Sequence, residues 1–533
     1  MATTLELLRE GRRSEIWSKY CGFIDLSIEQ FMEIQKRLLM EQIDLLSKCE
    51  LGRALMGDEA PASVEEFRAT APLTHYNDYA PYLLEKREDV LPVKPYWWLH
   101  TSGRSGEYEY KWVPYTEEMV QKLGECCMAS LILASCSERG QFVFDEGDSM
   151  LFALAPFPYI SGAATMALGR EFSFTYLPPM EEAMKMDFQT RISEGFRLAL
   201  KEGMDTFNGV ASVLSRIGDQ FVQGGGAVKP SPYLLHPMVV GRLLRALFRC
   251  VLDGRRKLLP KDLWDVKCIA MGGTDTRLFM DKIQRYWGRA PVETYACTEG
   301  GLIAAQLWNA KGLVFYPDTD FLEFIPEDEL AKNAADPAHK PRSVLLDEVE
   351  PGKRYEVVVT NLRGGAMVRY HVGDIIEITA LEDAELGVKL PQMVFYSRVN
   401  DIIDIAGIAR LTEQTIWQAI AESGYSYSDW VARKEYEDSQ VLLHVYVEPK
   451  GSVDTADLRE RVHRNLQRLN HDYADLESIW HMDALRVTLL PVGAYQRYYE
   501  ARQREGADLA HLKPPHMSPS DRALDQLMGR DGH

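Results

Sequence analysis

The stretch VKCIAMGGTDTRLFMDKIQRYWGRAPVETYACTEGG, residues 266–301, decides the fold class. It begins with an apolar run that ends in glycines, continues with an amphipathic stretch, and closes with a second apolar run that again ends in glycines. Strand, helix and strand in this order are typical of a βαβ unit, in which the strands lie parallel and ligand loops follow their carboxyl ends. We therefore expect an α/β fold.

The same alternation extends outward from this stretch, from about residue 96 to residue 395, whereas the residues before it are helical and mixed. After SRVND (397–401) the pattern changes to helix, strand, helix and strand, which predicts a small α+β domain. We predict a large, multi-subdomain N-terminal domain over 1–396, a hinge at 397–400 and a mobile C-terminal domain over 401–533. The last twenty residues are expected to be partly mobile.

Composition excludes several classes of protein. With 46% hydrophobic and 26% charged residues, the 533-residue chain has the content of a soluble globular protein. It has no apolar run long enough to span a bilayer, and its N-terminus breaks into charge too early for a signal peptide. We expect a cytoplasmic protein without a membrane partner. The net charge of −19 argues against a nucleic-acid surface, and the eight cysteines lack metal-ligand spacing.

A run rich in hydroxyls and glycines, LHTSGRSGEYEYKWVP, occupies residues 99–114. Its unhindered amides and hydroxyls are what a loop needs to wrap a polyphosphate. A Gly/Ser turn between two strands explains the run about equally well on its own. The candidate phosphate-binding residues are Thr101, Ser102, Gly103, Arg104, Ser105 and Gly106.

Both ends of the βαβ stretch are candidates for nucleotide contacts. The turn Gly272-Gly273-Thr274 lets a flat ligand approach the backbone, although a tight strand-to-helix turn is the more frequent reason for such glycines. In ETYACTEGG, Tyr295 is placed to stack on a base, Thr298 to bond phosphate oxygens and Glu299 to bind Mg²⁺.

Two further candidates lie nearer the C-terminus. Asp374 interrupts an apolar strand pattern within YEVVVTNLRGGAMVRYHVGDIIEI (355–378), and a carboxylate there needs a partner, either a ligand diol or nearby amides. Lys513 stands before two prolines in AHLKPPHMSP, which stiffen its loop, although a surface position is the ordinary role of a single lysine.

The order and spacing of these stretches resemble those of the acyl acid–amido synthetases, known from plant jasmonate- and auxin-conjugating enzymes and from bacterial relatives. That family belongs to the adenylate-forming superfamily of acyl-CoA synthetases, adenylation domains and luciferases. The resemblance covers about residues 95–520 and is clearest in LVFYPDTDFLEFIPEDE, in the 355–378 stretch and in NLQRLNHDYAD. It implies that the N-terminal domain is an adenylation domain that binds ATP and the acid.

The resemblance also implies roles for individual residues. Gly272, Gly273 and Thr274 match the turn along the adenine and acyl group, and Tyr295, Thr298 and Glu299 match the nucleotide- and metal-binding motif. Asp374 matches the acid that holds the ribose hydroxyls. Arg398 matches the arginine beside the hinge, and Lys513 the lysine that approaches the α-phosphate. ATP and Mg²⁺ are therefore the implied cofactors.

The implied reaction activates a carboxylic acid as its acyl-adenylate and then transfers the acyl group to an amine such as an amino acid. The family pattern is not followed everywhere: Arg104 replaces a Thr or Ser, and Asn400 and Asp404 replace the common Asp and Lys. Tyr295-Ala-Cys-Thr-Glu-Gly looks more like the acyl-CoA ligase branch, so an acid–CoA ligase is the alternative. A nucleotide-binding pseudoenzyme is the third. Apolar residues in 155–169 and 207–214 either line the acid pocket or belong to the core.

Overall fold

The computed structural model describes most of the 533-residue chain. Chain contacts divide it into two compact units, Met1–Val372 with Ile376–Phe395, and Gly373–Ile375 with Tyr396–His533. Among the described helices, none combines the length and the apolar character that crossing a membrane requires. The described residues are 2–102, 110–209, 211–222, 232–272, 276–336, 338–399, 402–405, 409–437, 440–478, 483–504 and 516–530.

The first unit is built around one large sheet, with a separate two-stranded hairpin formed by the first two strands. The strands are β1 (Trp97–Ser102), β2 (Tyr110–Tyr115), β3 (Ser149–Ala153), β4 (Thr175–Leu177), β5 (Thr206–Gly209), β6 (Cys268–Gly272), β7 (Val292–Cys297), β8 (Gly301–Gln306), β9 (Leu313–Phe315), β10 (Asp320–Pro326), β11 (Arg354–Asn361), β12 (Tyr370–Ala380) and β13 (Gln392–Arg398).

The large sheet has eleven strands in the order β10-β11-β12-β13-β9-β8-β7-β6-β5-β3-β4. Neighbouring strands from β7 to β4 are parallel, as the βαβ pattern of residues 266–301 predicts. Beyond β7 the pairs β7–β8, β8–β9, β9–β13 and β10–β11 are antiparallel. The expectation of parallel strands up to residue 395 was therefore wrong for this half. The connections β7–β8 and β8–β9 are too short for the crossover that neighbouring parallel strands need, so these strands run antiparallel.

Helices cover the sheet and precede it. The six N-terminal helices confirm the helical character predicted before residue 95; the longest, over residues 28–47, is capped by the side chain of Ser27 and buries one face. The helices are α1 (Thr4–Arg9), α2 (Arg13–Cys21), α3 (Ile28–Ser47), α4 (Glu50–Met56), α5 (Val64–Thr70), α6 (Tyr76–Leu83), α7 (Glu117–Ser135), α8 (Ile160–Glu171), α9 (Met180–Ala183), α10 (Phe188–Glu202), α11 (Ala211–Val222), α12 (Pro237–Leu252), α13 (Pro260–Leu263), α14 (Thr276–Trp287) and α15 (Glu327–Ala335).

The second unit has a hairpin and a three-stranded sheet with its own apolar core. The sequence analysis did not predict a helix in the final residues, but 521–528 form one, capped by Ser520 and burying Leu524 and Leu527. The elements are β14 (Ile402–Ile405), β15 (Ala409–Thr412), α16 (Glu413–Ala421), β16 (Tyr427–Glu437), β17 (Gln440–Pro449), α17 (Thr455–Leu469), α18 (His471–Ser478), β18 (Leu485–Leu489), α19 (Ala494–Arg504) and α20 (Asp521–Met528).

A buried ion pair joins the N-terminal helices to the sheet. Arg369 donates two hydrogen bonds of 2.9 Å, from Nε and one terminal nitrogen, to the two carboxylate oxygens of Glu323 on β10. Its other terminal nitrogen donates to the carbonyls of Arg68 and Ala71 at the end of α5. Both charged side chains are more than nine-tenths buried. The guanidinium therefore fixes the chain immediately before β12.

Removing one partner of this pair will destabilise the first unit. Glu323→Gln leaves the Arg369 guanidinium buried without its counter-charge, so we expect the free energy of unfolding to fall by about 3 kcal/mol. Urea unfolding followed by tryptophan fluorescence measures the change. The matched control is Glu41→Gln, which removes a half-exposed pair with Arg37 and should change stability by less than about 0.5 kcal/mol. Equal effects of the two substitutions would contradict this prediction.

Candidate functional site

The carboxyl ends of the parallel strands meet at one edge of the large sheet. Because β3, β5, β6 and β7 are parallel, the chain leaves all four at this edge, where ligands bind in α/β proteins. Gly272 is the last residue of β6 and pairs with Thr294 of β7. Gly273 and Thr274 lie outside the described residues. Of the two segments predicted to line an acid pocket or the core, 155–169 begins just after the carboxyl end of β3, and 207–214 contains the carboxyl end of β5.

The predicted phosphate loop follows strand β1. Thr101 and Ser102 are the last two residues of β1 and pair with Lys111 and Tyr110 of β2. The Gly103, Arg104, Ser105 and Gly106 part of the prediction lies outside the described residues. Strands flank the run on both sides, an arrangement that suits both the phosphate loop and the simple turn considered from the sequence.

Strand β1 is positioned beside the start of α8. The amide of His100 donates to the carbonyl of Pro158 at 3.2 Å. The His100 ring packs against Tyr110, Trp112 and Tyr159. Burial in these aromatic surroundings lowers the pKa of His100 to about 4, so the ring is neutral at pH 7. The hydroxyl-bearing end of β1 therefore emerges next to the segment that follows β3.

The turn between β7 and β8 carries Thr298 and Glu299, and its backbone is held from two sides. The hydroxyl of Tyr115, at the end of β2, donates to the Thr298 carbonyl at 2.8 Å. The side-chain amide of Asn361, at the end of β11, donates to the Glu299 carbonyl at 2.7 Å. Thr298 itself is buried. These bonds define the direction in which the two functional side chains leave the backbone.

Asn361 also connects the turn to β10 and β12. Its amide donates to the Asp320 carboxylate at 2.8 Å, and its oxygen accepts from the Met367 amide at 3.0 Å. Burial raises the pKa of Asp320 to about 8, although the bond from Asn361 opposes the rise. The Asp320 carboxyl is therefore largely protonated at neutral pH. Sequence analysis missed both residues, although each lies in a stretch that it singled out.

The carboxylate of Glu299 fits the role predicted for it as a ligand of Mg²⁺. Its Oε1 accepts a 3.2 Å hydrogen bond from the hydroxyl of Tyr370. Burial, with the neighbouring carboxylate, raises the pKa of Tyr370, so this hydroxyl stays protonated and donates. In the described part of the chain, no three His, Cys, Asp or Glu side chains form a metal cage. A site of one carboxylate completed by water and phosphate is the usual one for Mg²⁺.

Tyr295 belongs to the core of the first unit. It lies on β7 opposite Ala304 of β8, and only 6% of its surface is exposed. Little of the ring is thus available to a base, whereas Ala296, the next residue, is exposed. Stacking of Tyr295 on an adenine remains a prediction. In the structure, its ring packs in the apolar core.

In the second unit, the structure brings together two residues that were predicted separately. Nε of Arg398, the last residue of β13, donates to the Asp374 carboxylate at 3.0 Å. Asp374 is buried, whereas the Arg398 side chain is 38% exposed. The arginine supplies the partner that a carboxylate needs inside an apolar strand. The contact of Asp374 with ribose hydroxyls stays a prediction.

Lys513 lies outside the described residues. The next described residue is His516, whose side chain is bound on both sides. The His516 ring is held between the carboxylates of Glu413 and Asp429, at 2.5 and 2.7 Å, and stacks on Trp430. Its carbonyl accepts from the Ala432 amide of β16. Despite burial, which lowers it, the two carboxylates raise the pKa of His516 to about 9. Sequence analysis missed this residue, and no signal in the sequence pointed to it.

Two domain descriptions of the GH3 family match the chain. The GH3 family N-terminal domain matches residues 21–158 and the GH3 family central domain residues 313–398. The first match contains Thr101 and Ser102, and the second contains Asp374 and Arg398. The resemblance to acyl acid–amido synthetases seen in the sequence is thereby confirmed.

Curated plant proteins are similar over parts of the chain. A jasmonoyl–L-amino acid synthetase of Nicotiana attenuata is 23% identical over 47% of the chain and 44% of its own length. A putative indole-3-acetic acid-amido synthetase of Oryza sativa is 25% identical over 75% of the chain and 86% of its own length. The chain spans less than half the length of the first curated relatives it matches.

Solved structures share the fold. The acyl acid amido synthetase GH3.15, in complex with 2,4-DB, superposes with a TM-score of 0.68 at 15% identity, covering 96% of both chains. A 2-hydroxyisobutyryl-CoA ligase in the postadenylation state superposes with a TM-score of 0.58 at 16% identity, over 94% of this chain and 91% of the other. The expected α/β fold with an additional C-terminal domain is confirmed.

The stability of the second unit will fall as pH rises through about 9. The folded-state pKa of His516 lies above its ordinary value near 6.5, so its stabilisation is complete below pH 6.5 and disappears above about 9. The rise of the His516 pKa from about 6.5 to about 9 corresponds to a loss of free energy of unfolding on the order of 3 kcal/mol. Urea unfolding at pH 6 and pH 10 measures the change.

Two variants separate this contribution from other titrations. His516→Gln should remove most of the pH dependence and leave the protein less stable at pH 6. His471→Gln, at an exposed position on α18, should keep it. The prediction is wrong if wild type and His516→Gln lose stability in parallel between pH 6 and pH 10.

Proposed function

Because the chain carries the N-terminal and central domains of the GH3 family, we propose that it is an ATP-dependent, AMP-forming ligase. It activates a carboxylic acid as its acyl-adenylate and transfers the acyl group to an amine such as an amino acid. The observation that carries the proposal is the held turn of Thr298 and Glu299 at the carboxyl edge of the sheet. We expect the enzyme to act in the cytoplasm and to need Mg²⁺.

In the first step, the acid attacks the α-phosphorus of ATP and pyrophosphate leaves. Positioning and charge stabilisation dominate such chemistry. Thr101, Ser102 and the glycines after them would bind the phosphates, and Asp374 the ribose. Mg²⁺ bound at Glu299 would neutralise charge on the phosphates. The ammonium of Lys513 would stabilise the charge that develops at the α-phosphate.

In the second step, the acceptor attacks the acyl carbonyl and AMP leaves. The adenylate is reactive toward water, so a site that excludes solvent is required. An amine acceptor is supported by the matching GH3 domains and by the amido synthetases among the similar proteins. CoA is the second candidate, because Tyr295-Ala-Cys-Thr-Glu-Gly resembles the corresponding run of acyl-CoA ligases.

Product analysis distinguishes the candidates. Purified protein is incubated with Mg·ATP and a pool of carboxylic acids, with either amino acids or CoA, and products are identified by mass spectrometry. We expect acyl-amides and AMP with amino acids. Thioesters would instead assign the CoA reaction. Absence of AMP and pyrophosphate with every acid would refute the adenylating function.

Lys513→Ala tests the assignment of the adenylating lysine. If its ammonium acts only in the transition state of adenylation, the rate of acid-dependent pyrophosphate release should fall by about 10²–10³-fold. Lys450→Ala, at an exposed position after β17, is the matched control and should retain the wild-type rate. An unchanged rate in Lys513→Ala would contradict the assignment.

Asn361→Ala tests whether adenylation requires the hydrogen bonds that fix the Thr298–Glu299 turn. The substitution removes the donor to the Glu299 carbonyl and to Asp320, so Glu299 loses its fixed position. We expect kcat/KM for adenylation to fall by about 10²-fold, the scale of a 1 Å misplacement, with a larger rise in KM for Mg·ATP than for the acid.

The control for this substitution is Asn309→Ala. Asn309, in the turn between β8 and β9, donates to the Asp383 carboxylate. The substitution therefore removes an asparagine side-chain hydrogen bond away from the Thr298–Glu299 turn. A general loss of stability would lower the activities of both variants and would not raise the KM for Mg·ATP selectively. Equal kinetics of the two variants would show that Asn361 does not position the turn for catalysis.

A further inference from the structure

Helix α12 exposes a continuous apolar face. Eight large apolar side chains on this helix and just before it are between 38% and 79% exposed. A surface of this kind on a folded protein usually marks an interaction site. The eight are Leu235, Met238, Val240, Leu244, Leu247, Phe248, Val251 and Leu252.

The exposed face is wide and convex. The opposite side of α12 packs on the protein through Val239, Ala246 and Cys250. At about 100° per residue, Met238 and Leu247 lie about 180° apart around the helix, with the other exposed apolar residues of α12 between them. The apolar stripe of an ordinary amphipathic helix covers roughly 100°. One further helix would therefore cover only part of this face, whereas a fluid apolar layer into which the helix sinks would cover all of it.

The charge of this region is opposite to that of the whole chain. Residues 235–265 contain seven Lys and Arg and three Asp, a net charge of +4, within a chain of net charge −19. Helix α12 itself has three arginines and no acidic residue. Basic residues beside an exposed apolar face are the feature by which peripheral proteins bind anionic lipid surfaces.

The arginines of α12 differ in what they contact. Arg242 points inward and donates to the carbonyls of Leu200 and Leu263. Arg249 is bonded to Asp265, and Arg245 lies 3.7 Å from the same carboxylate, which is 62% exposed. An exposed pair of this kind can exchange its carboxylate for a lipid phosphate at little free-energy cost. Arg256, just after the helix, is exposed.

We propose that the α12 face, consisting of Leu235, the exposed apolar residues of α12 and the basic residues Arg245, Arg249 and Arg256, is a docking surface for an anionic lipid bilayer. The apolar side chains enter the boundary between headgroups and acyl chains, and the arginines contact lipid phosphates. A second copy of the chain fits this surface less well, because it would bring two faces of net positive charge together. The cytoplasmic leaflet is the anionic one, which agrees with a cytoplasmic enzyme. The inference does not depend on the proposed reaction.

The sequence analysis did not predict a surface that binds a membrane. The expectation of no membrane partner came from the lack of an apolar run long enough to span a bilayer, and no described helix spans one. Lying on a bilayer requires only one apolar face with basic residues beside it. We therefore keep the expectation that the chain does not span a bilayer, and we propose in addition that it binds the surface of one.

Sedimentation with vesicles tests the proposal on the full chain. The probes are vesicles of phosphatidylcholine alone and of phosphatidylcholine with about one third phosphatidylserine. We expect binding to the anionic vesicles, at least about tenfold weaker binding to the neutral ones, and loss of binding at about 0.5 M NaCl. The proposal would be overturned if equal amounts of protein sedimented with both kinds of vesicle, or if no protein sedimented with either.

Variants locate the surface. Leu244→Ser/Phe248→Ser keeps the charge and should weaken vesicle binding by about tenfold or more, because two large apolar side chains no longer enter the bilayer. Arg256→Glu should weaken binding and reduce its dependence on salt. The matched control is Val492→Ser, which alters a 74% exposed apolar residue in the second unit and should bind like wild type.

A second measurement separates lipid binding from self-association. Sedimentation velocity without lipid should show the same oligomeric state for wild type and for the double serine variant. A wild-type dimer that becomes monomeric in this variant, together with absence of vesicle binding, would assign the face to a second copy of the chain and overturn the proposal. Circular dichroism confirms that the variants are folded.

Discussion

The side-chain amide of Asn361 is the interaction on which the candidate site depends. With two donated bonds and one accepted bond it joins the β7–β8 turn, the start of β10 and the loop before β12. A buried amide that satisfies three partners at once permits one arrangement of these segments, since any shift leaves a buried polar group unpaired. Thr298 and Glu299 therefore receive their geometry from residues remote in sequence.

The hydroxyl of Tyr370 beside Glu299 and the carboxyl of Asp320 beside Asn361 are both largely neutral, which limits the negative charge near the turn. Burial keeps Tyr370 protonated, so its hydroxyl donates to Glu299, and it raises the pKa of Asp320 to about 8, so this second carboxyl contributes little negative charge at neutral pH. Glu299 is thereby spared repulsion from an ionised neighbour within the same network. A site with one carboxylate suits a cation that is also bound by phosphates.

The sequence was informative where a pattern is local and poor where a contact is distant. The alternation in residues 266–301 predicted β6, α14 and β7 and their parallel pairing, because side-chain periodicity follows directly from backbone geometry. The antiparallel half of the sheet was missed, since an apolar run has no strand direction. Asp374 and Arg398 were both singled out, but their pairing across 24 residues appears only in the fold. Asn361 and His516 act through such distant partners and carry no local signal.

The net charge of the sequence likewise does not predict the local charge of one surface. A net charge of −19 predicts repulsion from anionic surfaces, but the field near a surface is set by the groups within a Debye length, about 10 Å at 0.1 M salt. The charged residues of α12 are all arginines, residues 235–265 have a net charge of +4, and the large apolar side chains of the helix are exposed. Electrostatic attraction brings such a face to a bilayer, and apolar burial then retains it. The spatial distribution of charge, which depends on the fold, therefore determines whether this face can bind an anionic surface. The net charge of the chain does not.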